Sequence, residues 1–159
     1  MATTNLSHYD KTTIPNAKNF RFGIVVSEWN RDITENLYKG AQATLIEHGA
    51  LPENIIRTDV PGSFELIFGC KHQLETLELD AMIAIGNVIQ GETKHFDFVC
   101  DGVTQGIKDL NIIYDVPIIF CVLTDNTRQQ SLDRSGGIHG NKGIESAVAA
   151  IKMAALRAI

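Results

Sequence analysis

A short apolar run ends at Gly86 and is followed by a segment whose residue types could bind an anion and move a proton. Gly91-Glu92-Thr93 comes next, and His95 follows two positions after Thr93. A strand that ends in a glycine turn and leads into a helix brings backbone N–H groups together, and such a turn can bind an anion without a charged side chain. Histidine is the side chain best suited to proton transfer near neutral pH. The segment therefore predicts an anion site with a proton-transfer residue beside it.

The segment from Gly86 to Gly91 has the spacing of a phosphate loop without its usual cation. Glu92 stands where the loop of a nucleoside triphosphatase carries the lysine that binds the β- and γ-phosphates. This disfavours a nucleoside triphosphatase, whereas a single phosphate bound by backbone N–H groups and the Thr93 hydroxyl is compatible with the residues. An ordinary strand-to-helix turn is the alternative that spacing alone leaves open.

His95 is expected in the first turn of a helix, where the helix dipole favours a neutral imidazole that can accept a proton. The alternative is an ordinary surface histidine. The other four histidines, His8, His48, His72 and His139, do not follow a predicted strand. This contrast favours a function for His95.

Two further segments carry side chains suited to an organic ligand. Trp29, the single tryptophan, directly follows the first predicted strand, so it could stack on a flat heterocycle. A core or interface tryptophan is an equal alternative. Ser63-Phe64-Glu65 follows a Pro-Gly turn and could offer a hydroxyl, a carboxylate and free amides to a polyol. The simpler alternative is a helix cap with an acidic residue in its first turn.

Two cations follow the last predicted strand. Arg134 could pair with a phosphate because its planar guanidinium matches phosphate geometry. A solvated charge on a helix is the commoner role of such an arginine. Lys142 follows a glycine-rich loop and could contact a ligand or could simply lie near the start of a helix.

The spacing of apolar residues predicts an alternation of strands and helices. The predicted strands cover 22–27, 54–60, 81–85 and 116–123, and the predicted helices cover about 31–49, 63–74, 94–110, 127–135 and 141–156. This order predicts an α/β fold, a three-layer α/β/α arrangement with a four-stranded parallel, flavodoxin-like sheet. Ligands in such folds bind outside the carboxyl ends of the strands, and the candidate residues above follow strands.

Length and composition bound the class of protein. With 159 residues the chain is expected to be one domain over 19–159, preceded by a flexible or docking arm over 1–18. A net charge of −5 disfavours a nucleic-acid-binding protein. The three cysteines form no CxxC pair, which favours reduced thiols in the cytoplasm and no metal site. The N-terminus does not resemble a signal peptide, and no apolar run approaches the ~20 residues of a membrane span.

Several motifs in this order resemble the lumazine synthases of riboflavin biosynthesis. The resemblance covers about 22–156 and rests on Trp29-Asn30, VPGSFEL (60–66), GNVIQGETKHFDFV (86–99), PIIFCVLT (117–124) with Arg134 beyond it, and GNKG (140–143). It implies an enzyme, a transferase that condenses 5-amino-6-(ribitylamino)pyrimidinedione with 3,4-dihydroxy-2-butanone 4-phosphate to give 6,7-dimethyl-8-ribityllumazine, phosphate and water. It also implies that no cofactor and no metal are needed.

The resemblance also implies roles for individual residues. His95 would be the catalytic proton-transfer residue. The pyrimidine and ribityl groups would be bound by Trp29, Ser63, Phe64, Glu65, Asn87, Val88, Ile89, Phe120 and Lys142. The phosphate would be bound by Glu92, Thr93 and Arg134.

The same resemblance implies an assembly. The sites would lie between neighbouring subunits of a homopentamer, with Phe120, Arg134 and Lys142 on the other side. Twelve pentamers could form an icosahedral capsid of 60 subunits, and the lack of an insertion between Arg134 and Asn141 favours that form. Riboflavin synthase would be a candidate partner protein. Two alternatives stay open at this point, a flavodoxin-like module that binds flavin mononucleotide and a non-catalytic shell protein.

Overall fold

A four-stranded parallel sheet forms the centre of the computed structural model, which describes residues 5–159. The strands are β1 (Phe22–Ser27), β2 (Ile55–Val60), β3 (Ala81–Ile89) and β4 (Ile118–Asp125). Their spatial order is β2-β1-β3-β4, the order of the first four strands in flavodoxin-like sheets. Val25 of β1 pairs with Thr58 of β2 and with Ala84 of β3, which fixes the register at the middle of the sheet.

Helices cover both faces of the sheet. They are α1 (Arg31–Glu47), α2 (Leu66–Thr76), α3 (His95–Ile113), α4 (Arg128–Arg134) and α5 (Lys142–Arg157). Helices α1 and α5 pack on one face, and α2 and α3 pack on the other. The predicted α/β class and three-layer arrangement are therefore confirmed. No helix of the described residues is long and apolar enough to cross a membrane.

The alternation of side chains along β1 explains the two cores. Phe22, Ile24 and Val26 pack with α1 and α5, whereas Val25 packs with α2 and α3. Every residue of β1 is buried. A strand that is apolar at consecutive positions can be buried on both sides only in such a central place.

The helix starts agree only in part with the sequence. Asn141 caps α5 by accepting a hydrogen bond from the N–H of Gly143. The suggested capping of α2 by Ser63 is wrong, because α2 begins at Leu66 and Ser63 is buried in the loop before it. The hydroxyl of Ser63 instead donates to the carbonyl of Asn87, 3.3 Å away.

Strand β3 is longer than predicted, and the expected turn at Gly86 is wrong. Gly86 to Ile89 continue the strand, since they pair in register with Val122 to Asp125 of β4. A Cβ added to Gly86 would lie 2.7 Å from the Ser63 Oγ. Gly86 therefore allows the loop before α2 to approach the sheet, and the chain does not turn until after Ile89.

The first described residues lie against the same chain. The N–H of Leu6 donates to the carbonyl of His139 at 2.7 Å, and the N–H of Ala17 donates to the carbonyl of His48 at 2.8 Å. A small antiparallel ribbon that the sequence did not predict, β5 (Ser135–Gly137) with β6 (Gly140–Asn141), receives Leu6. Residues 1–4 of the predicted arm lie outside the described residues.

Helix α5 lies very close to the backbone of α1 at Gly143. A Cβ added to Gly143 would lie 1.9 Å from the carbonyl oxygen of Leu37, and backbone cannot move aside cheaply. Gly143→Ala should therefore lower the free energy of unfolding by about 1–3 kcal/mol or more. Urea unfolding followed by circular dichroism at a fixed protein concentration would measure the change.

The matched control is Gly91→Ala, because nothing lies within 4 Å of a Cβ built there. This change should leave the unfolding midpoint nearly unchanged. Equal midpoints for the two variants would contradict the described packing of α5 on α1.

Candidate active site

A cleft of about 440 Å³ opens at the carboxyl ends of β1 and β3. It is lined by Trp29, Asn30, Gly62, Ser63, Phe64, Asn87, Val88, Ile89, Gly91, Thr93, His95, Phe96 and Val99. Eight of these are predicted catalytic or binding residues, Gly91 belongs to the predicted anion segment, and the nine come from three separate parts of the chain. The position at the carboxyl edge of a parallel sheet is where ligands bind in this class of fold.

Two aromatic side chains border the cleft and are largely open to solvent. Trp29 is 70% exposed and Phe64 is 52% exposed. The ring of Phe64 lies against α3 at Gly102, where an added Cβ would be 2.6 Å from Phe64 Cε2. Exposed aromatic rings beside a cleft offer flat apolar surface on which a planar heterocycle can stack.

The open side of β3 gives the cleft its backbone donors. Strand β1 pairs with β3 only as far as Val26 opposite Ile85, whereas β4 pairs with β3 as far as Ile89. Gln90 directs its N–H to the carbonyl of Asp125 in β4. Because alternate residues of a strand point their N–H groups to opposite sides, the N–H groups of Asn87 and Ile89 are directed at the unpaired side. That side faces the cleft.

The loop from Gly91 to Lys94 carries the Thr93 hydroxyl and leads to the His95 imidazole. Both residues line the cleft. His95 is the first residue of α3, and its N–H lies 3.4 Å from Thr93 Oγ1. Lys94, at the N-cap position, makes no side-chain capping bond. The start of a 19-residue helix therefore lies at His95, and the N–H groups and dipole of a helix start favour an anion.

Five of the predicted site residues do not line this cleft. Glu92 is exposed between Gly91 and Thr93, and Glu65 places its carboxylate beside Gly62 at the rim. Phe120, Arg134 and Lys142 lie elsewhere on the chain. The half-buried Phe120 packs against the core under α2 and α3, and Arg134 donates to the Gln130 carbonyl at 3.0 Å. Lys142 donates to Glu145 at 2.8 Å.

Four lining residues were not proposed from the sequence as ligand contacts. Asn30 was named only as part of a motif, and Gly62 only as part of a turn. Phe96 and Val99 lie on the first turns of α3. Val99 follows His95 by four positions, so helical periodicity would have placed it on the same face.

The thiols do not supply a nucleophile to this site. All three cysteines are free. Burial raises the pKa of Cys70 to about 12 and that of Cys121 to about 11. Partial burial, with the carboxylates of Asp101 and Asp97 nearby, also raises the pKa of Cys100. A thiol with a raised pKa carries little thiolate near neutral pH, and the thiolate is the reactive form.

Within residues 5–159, no group of three or more His, Cys, Asp or Glu side chains could bind a metal ion. The chemistry that these residues can perform is therefore stacking, binding of an anion by backbone N–H groups, and proton transfer by one imidazole.

Comparison with known proteins identifies the relatives of the chain. The family described as 6,7-dimethyl-8-ribityllumazine synthase matches residues 19–158. The chain is 70% identical to the 6,7-dimethyl-8-ribityllumazine synthase of Christiangramia forsetii, over 99% of this chain and 95% of that protein. It is 69% identical to the protein of that name in Flavobacterium psychrophilum, over 98% of this chain and 82% of the relative. The similarly named protein of Porphyromonas gingivalis is 54% identical over the full length of both chains.

Proposed function

The chain belongs to the 6,7-dimethyl-8-ribityllumazine synthase family, and we propose that the cleft at the carboxyl ends of β1 and β3 is one side of its active site. The chain is a transferase of riboflavin biosynthesis. It condenses 5-amino-6-(ribitylamino)pyrimidinedione with 3,4-dihydroxy-2-butanone 4-phosphate, which gives 6,7-dimethyl-8-ribityllumazine, phosphate and water. The observation that carries the assignment of the cleft is the meeting of Trp29, the open edge of β3 and His95 in one space.

The pyrimidine substrate is proposed to bind along the open edge of β3. Trp29 would stack on the ring, and the backbone of Asn87, Val88 and Ile89 would bind its polar edge. The 70% exposure of Trp29 and the unpaired side of β3 support this placement. The ribityl chain would bind to Ser63, Phe64 and Glu65, which lie at or beside the same cleft.

The phosphate is proposed to bind at the start of α3. Glu92 and Thr93 would offer their N–H groups, and Arg134 would provide the positive charge. The start of α3 beside the cleft supports an anion there, because its N–H groups and the helix dipole attract negative charge.

His95 is proposed to transfer protons during the reaction. The amine of the pyrimidine attacks the ketone of the second substrate and forms an imine with loss of water. Phosphate then leaves by β-elimination, which requires removal of a proton beside the imine. After the chain has rotated, the ribitylamino nitrogen attacks the remaining carbonyl and closes the ring with loss of a second water. Because the two substrates must be held in register through these steps, positioning in the cleft should supply much of the acceleration.

The active site is proposed to be completed by a neighbouring subunit. Phe120, Arg134 and Lys142 do not line the cleft of their own chain, so a second copy would have to bring them there. The side chain of Phe68 on α2 is 70% exposed, and that of Phe98 on α3 is 71% exposed. These two aromatic side chains support a subunit contact on the face of the molecule formed by α2 and α3. Exposed apolar surface of this kind is typical of an interface.

We propose a homopentamer, with a 60-subunit capsid as its larger form, in the cytoplasm, with riboflavin synthase as a candidate partner. The family match does not favour the two alternatives, a module that binds flavin mononucleotide and a non-catalytic shell protein.

Mixing both substrates with the protein tests the activity, since the product is fluorescent. Light scattering measures the mass of the assembly in the same sample.

Replacing His95 tests its proposed role. His95→Ala should lower kcat by about 10²–10⁴-fold, because that is the usual contribution of a positioned proton-transfer group. The measurement is product formation under saturating substrates. His8→Ala is the control, since His8 is exposed on the N-terminal segment away from the cleft. Full turnover by His95→Ala would refute the role.

Replacing Arg134 tests the binding of phosphate. Arg134→Ala should raise the KM for the butanone phosphate more than it lowers kcat, because a guanidinium that only holds the phosphate contributes equally to bound substrate and transition state. Arg128→Ala on the same helix is the matched control, since Arg128 pairs with Asp32 at the surface. An unchanged KM in Arg134→Ala would mean that phosphate binds elsewhere.

Mixed assemblies test whether the site is shared. His95→Ala and Arg134→Ala subunits are unfolded together in equal amounts and refolded. In a ring with head-to-tail contacts, about a quarter of the interfaces would then combine an intact His95 with an intact Arg134 of the neighbour. With the butanone phosphate well below the KM of Arg134→Ala, where each separate variant has little activity, activity should rise to about that fraction of wild type. Activity no higher than the sum of the two separate variants would contradict a shared site.

A further inference from the structure

A line of four side chains runs beneath the cleft and connects four elements of the fold. The Asn30 Nδ2 donates to the Asn87 Oδ1 at 2.8 Å. The Asn87 Nδ2 donates to the Ser131 Oγ at 2.9 Å, and the Ser131 Oγ donates to the Asp125 Oδ2 at 2.7 Å. The line thus joins the turn before α1 to β3, to α4 and to the end of β4. Neither Ser131 nor Asp125 lines the cleft.

Three of these side chains are buried. The exposed fraction is 1% for Asn87, 0% for Ser131 and 7% for Asp125. A polar group in such a place is costly unless it is hydrogen-bonded, and the cost is highest for a carboxylate. The four side chains satisfy one another, so losing one would leave a buried partner without its hydrogen bond.

The carboxylate at the end fixes the direction of the whole line. An ionised Asp125 can only accept hydrogen bonds, so Ser131 must donate its hydroxyl proton to it. The Ser131 oxygen is then left to accept from the Asn87 NH₂ group. The Asn87 oxygen consequently faces Asn30 and accepts from it. Every donor points toward the carboxylate, and hydrogen bonds aligned in this way strengthen one another.

Asn30 is where this line reaches the cleft. It is the one residue other than glycine with a positive φ in the described part of the chain, at φ 56° and ψ 49°. Its side chain makes no capping bond to α1. The hydrogen bond to Asn87 therefore secures a turn whose backbone is otherwise unfavourable for a residue with a Cβ. Trp29 immediately precedes Asn30, so its backbone moves with this turn.

We propose that Asp125 and Ser131 are positioning residues that act through Asn87 and Asn30 to hold Trp29 over the cleft. The effect on the reaction rests on the proposed function, in which Trp29 stacks on the pyrimidine ring. The ordering of the turn that carries Trp29 does not depend on any substrate.

Because Trp29 is the single tryptophan, its fluorescence directly reports how well this turn is ordered. Time-resolved fluorescence anisotropy of Trp29, without substrate, is recorded for wild type, Ser131→Ala and Asp125→Ala. Both variants should show a larger amplitude of the fast local decay, because the turn loses its anchor. Asp125→Asn, which keeps an acceptor oxygen for Ser131, should restore most of the slow decay. Decays equal to wild type in both alanine variants would overturn the proposal.

A matched variant separates this effect from a general loss of stability. Thr44→Val removes a hydroxyl from a buried residue that donates to the Gly40 carbonyl at 2.8 Å within α1. Thr44 lies near the other end of α1, away from the turn that carries Trp29. Thr44→Val should leave the Trp29 decay as in wild type. A change equal to that in Ser131→Ala would mean that the decay reports only loosened packing, and would overturn the proposal.

A double-mutant cycle tests transmission along the line. Asn30→Gly removes the side-chain amide and suits the positive φ, so it should fold even where a buried substitution does not. Asn30→Gly and Ser131→Ala should each raise the KM for the pyrimidine substrate by about 5–30-fold, with a smaller change in kcat. The double variant should be no worse than the poorer single variant, although Asn30 and Ser131 make no hydrogen bond to each other. Additive effects would show independent roles and overturn the proposal.

The two readouts distinguish the failure of each idea. If wild type formed no lumazine but the alanine variants loosened Trp29, the proposed function would fail and the positioning role would stand. If wild type were active and the variants changed neither the decay nor the KM, the positioning role would fail and the function would stand.

Discussion

The unequal length of two neighbouring strands is the constraint on which the cleft depends. Strand β1 ends at Ser27, and its pairing with β3 ends at Val26 opposite Ile85. Strand β3 continues to Ile89 because β4 supports it on the other side. The extra residues of β3 therefore have one paired and one unpaired edge. Backbone groups that cannot pair within the sheet need a side chain, water or a ligand as partner, and the turn after β1 leaves room for a ligand.

Several other features of the molecule follow from this stagger. The chain leaving β1 turns through Trp29 and Asn30 and so borders the open edge of β3. Gly86, at the first unpaired position, lets the loop with Ser63 approach the strand closely. The loop after Ile89 then carries Thr93 and His95 to the far side of the same space. One difference in strand length thus gathers three parts of the chain that are distant in sequence.

The sequence predicted the sheet well because its signals were local. Residues 22–26 carry no polar side chain, and Ile33, Leu37, Ala41 and Leu45 recur at helical spacing, so burial follows from pattern alone. Trp29 and His95 were singled out because they follow predicted strands, and both line the cleft.

The errors occurred where tertiary contacts decide. Gly86 and Ser63 have the residue types of a turn and a helix cap, but pairing with β4 and packing on β3 override those preferences. Asp125 and Ser131 gave no signal at all, because their contact with Asn87 depends on the register of β4 against β3 and on where α4 packs.

One chain brings together only part of the proposed site. Its cleft offers stacking surface, backbone donors and an imidazole, but the guanidinium of Arg134 and the ammonium of Lys142 lie outside it. Elimination of phosphate develops negative charge, and N–H groups at a helix start stabilise such charge only in part. A guanidinium close by would hold the phosphate both in the bound substrate and as it leaves. An arrangement in which the neighbouring subunit delivers that cation makes the complete site a property of the assembly, so that catalysis and association depend on the same surface.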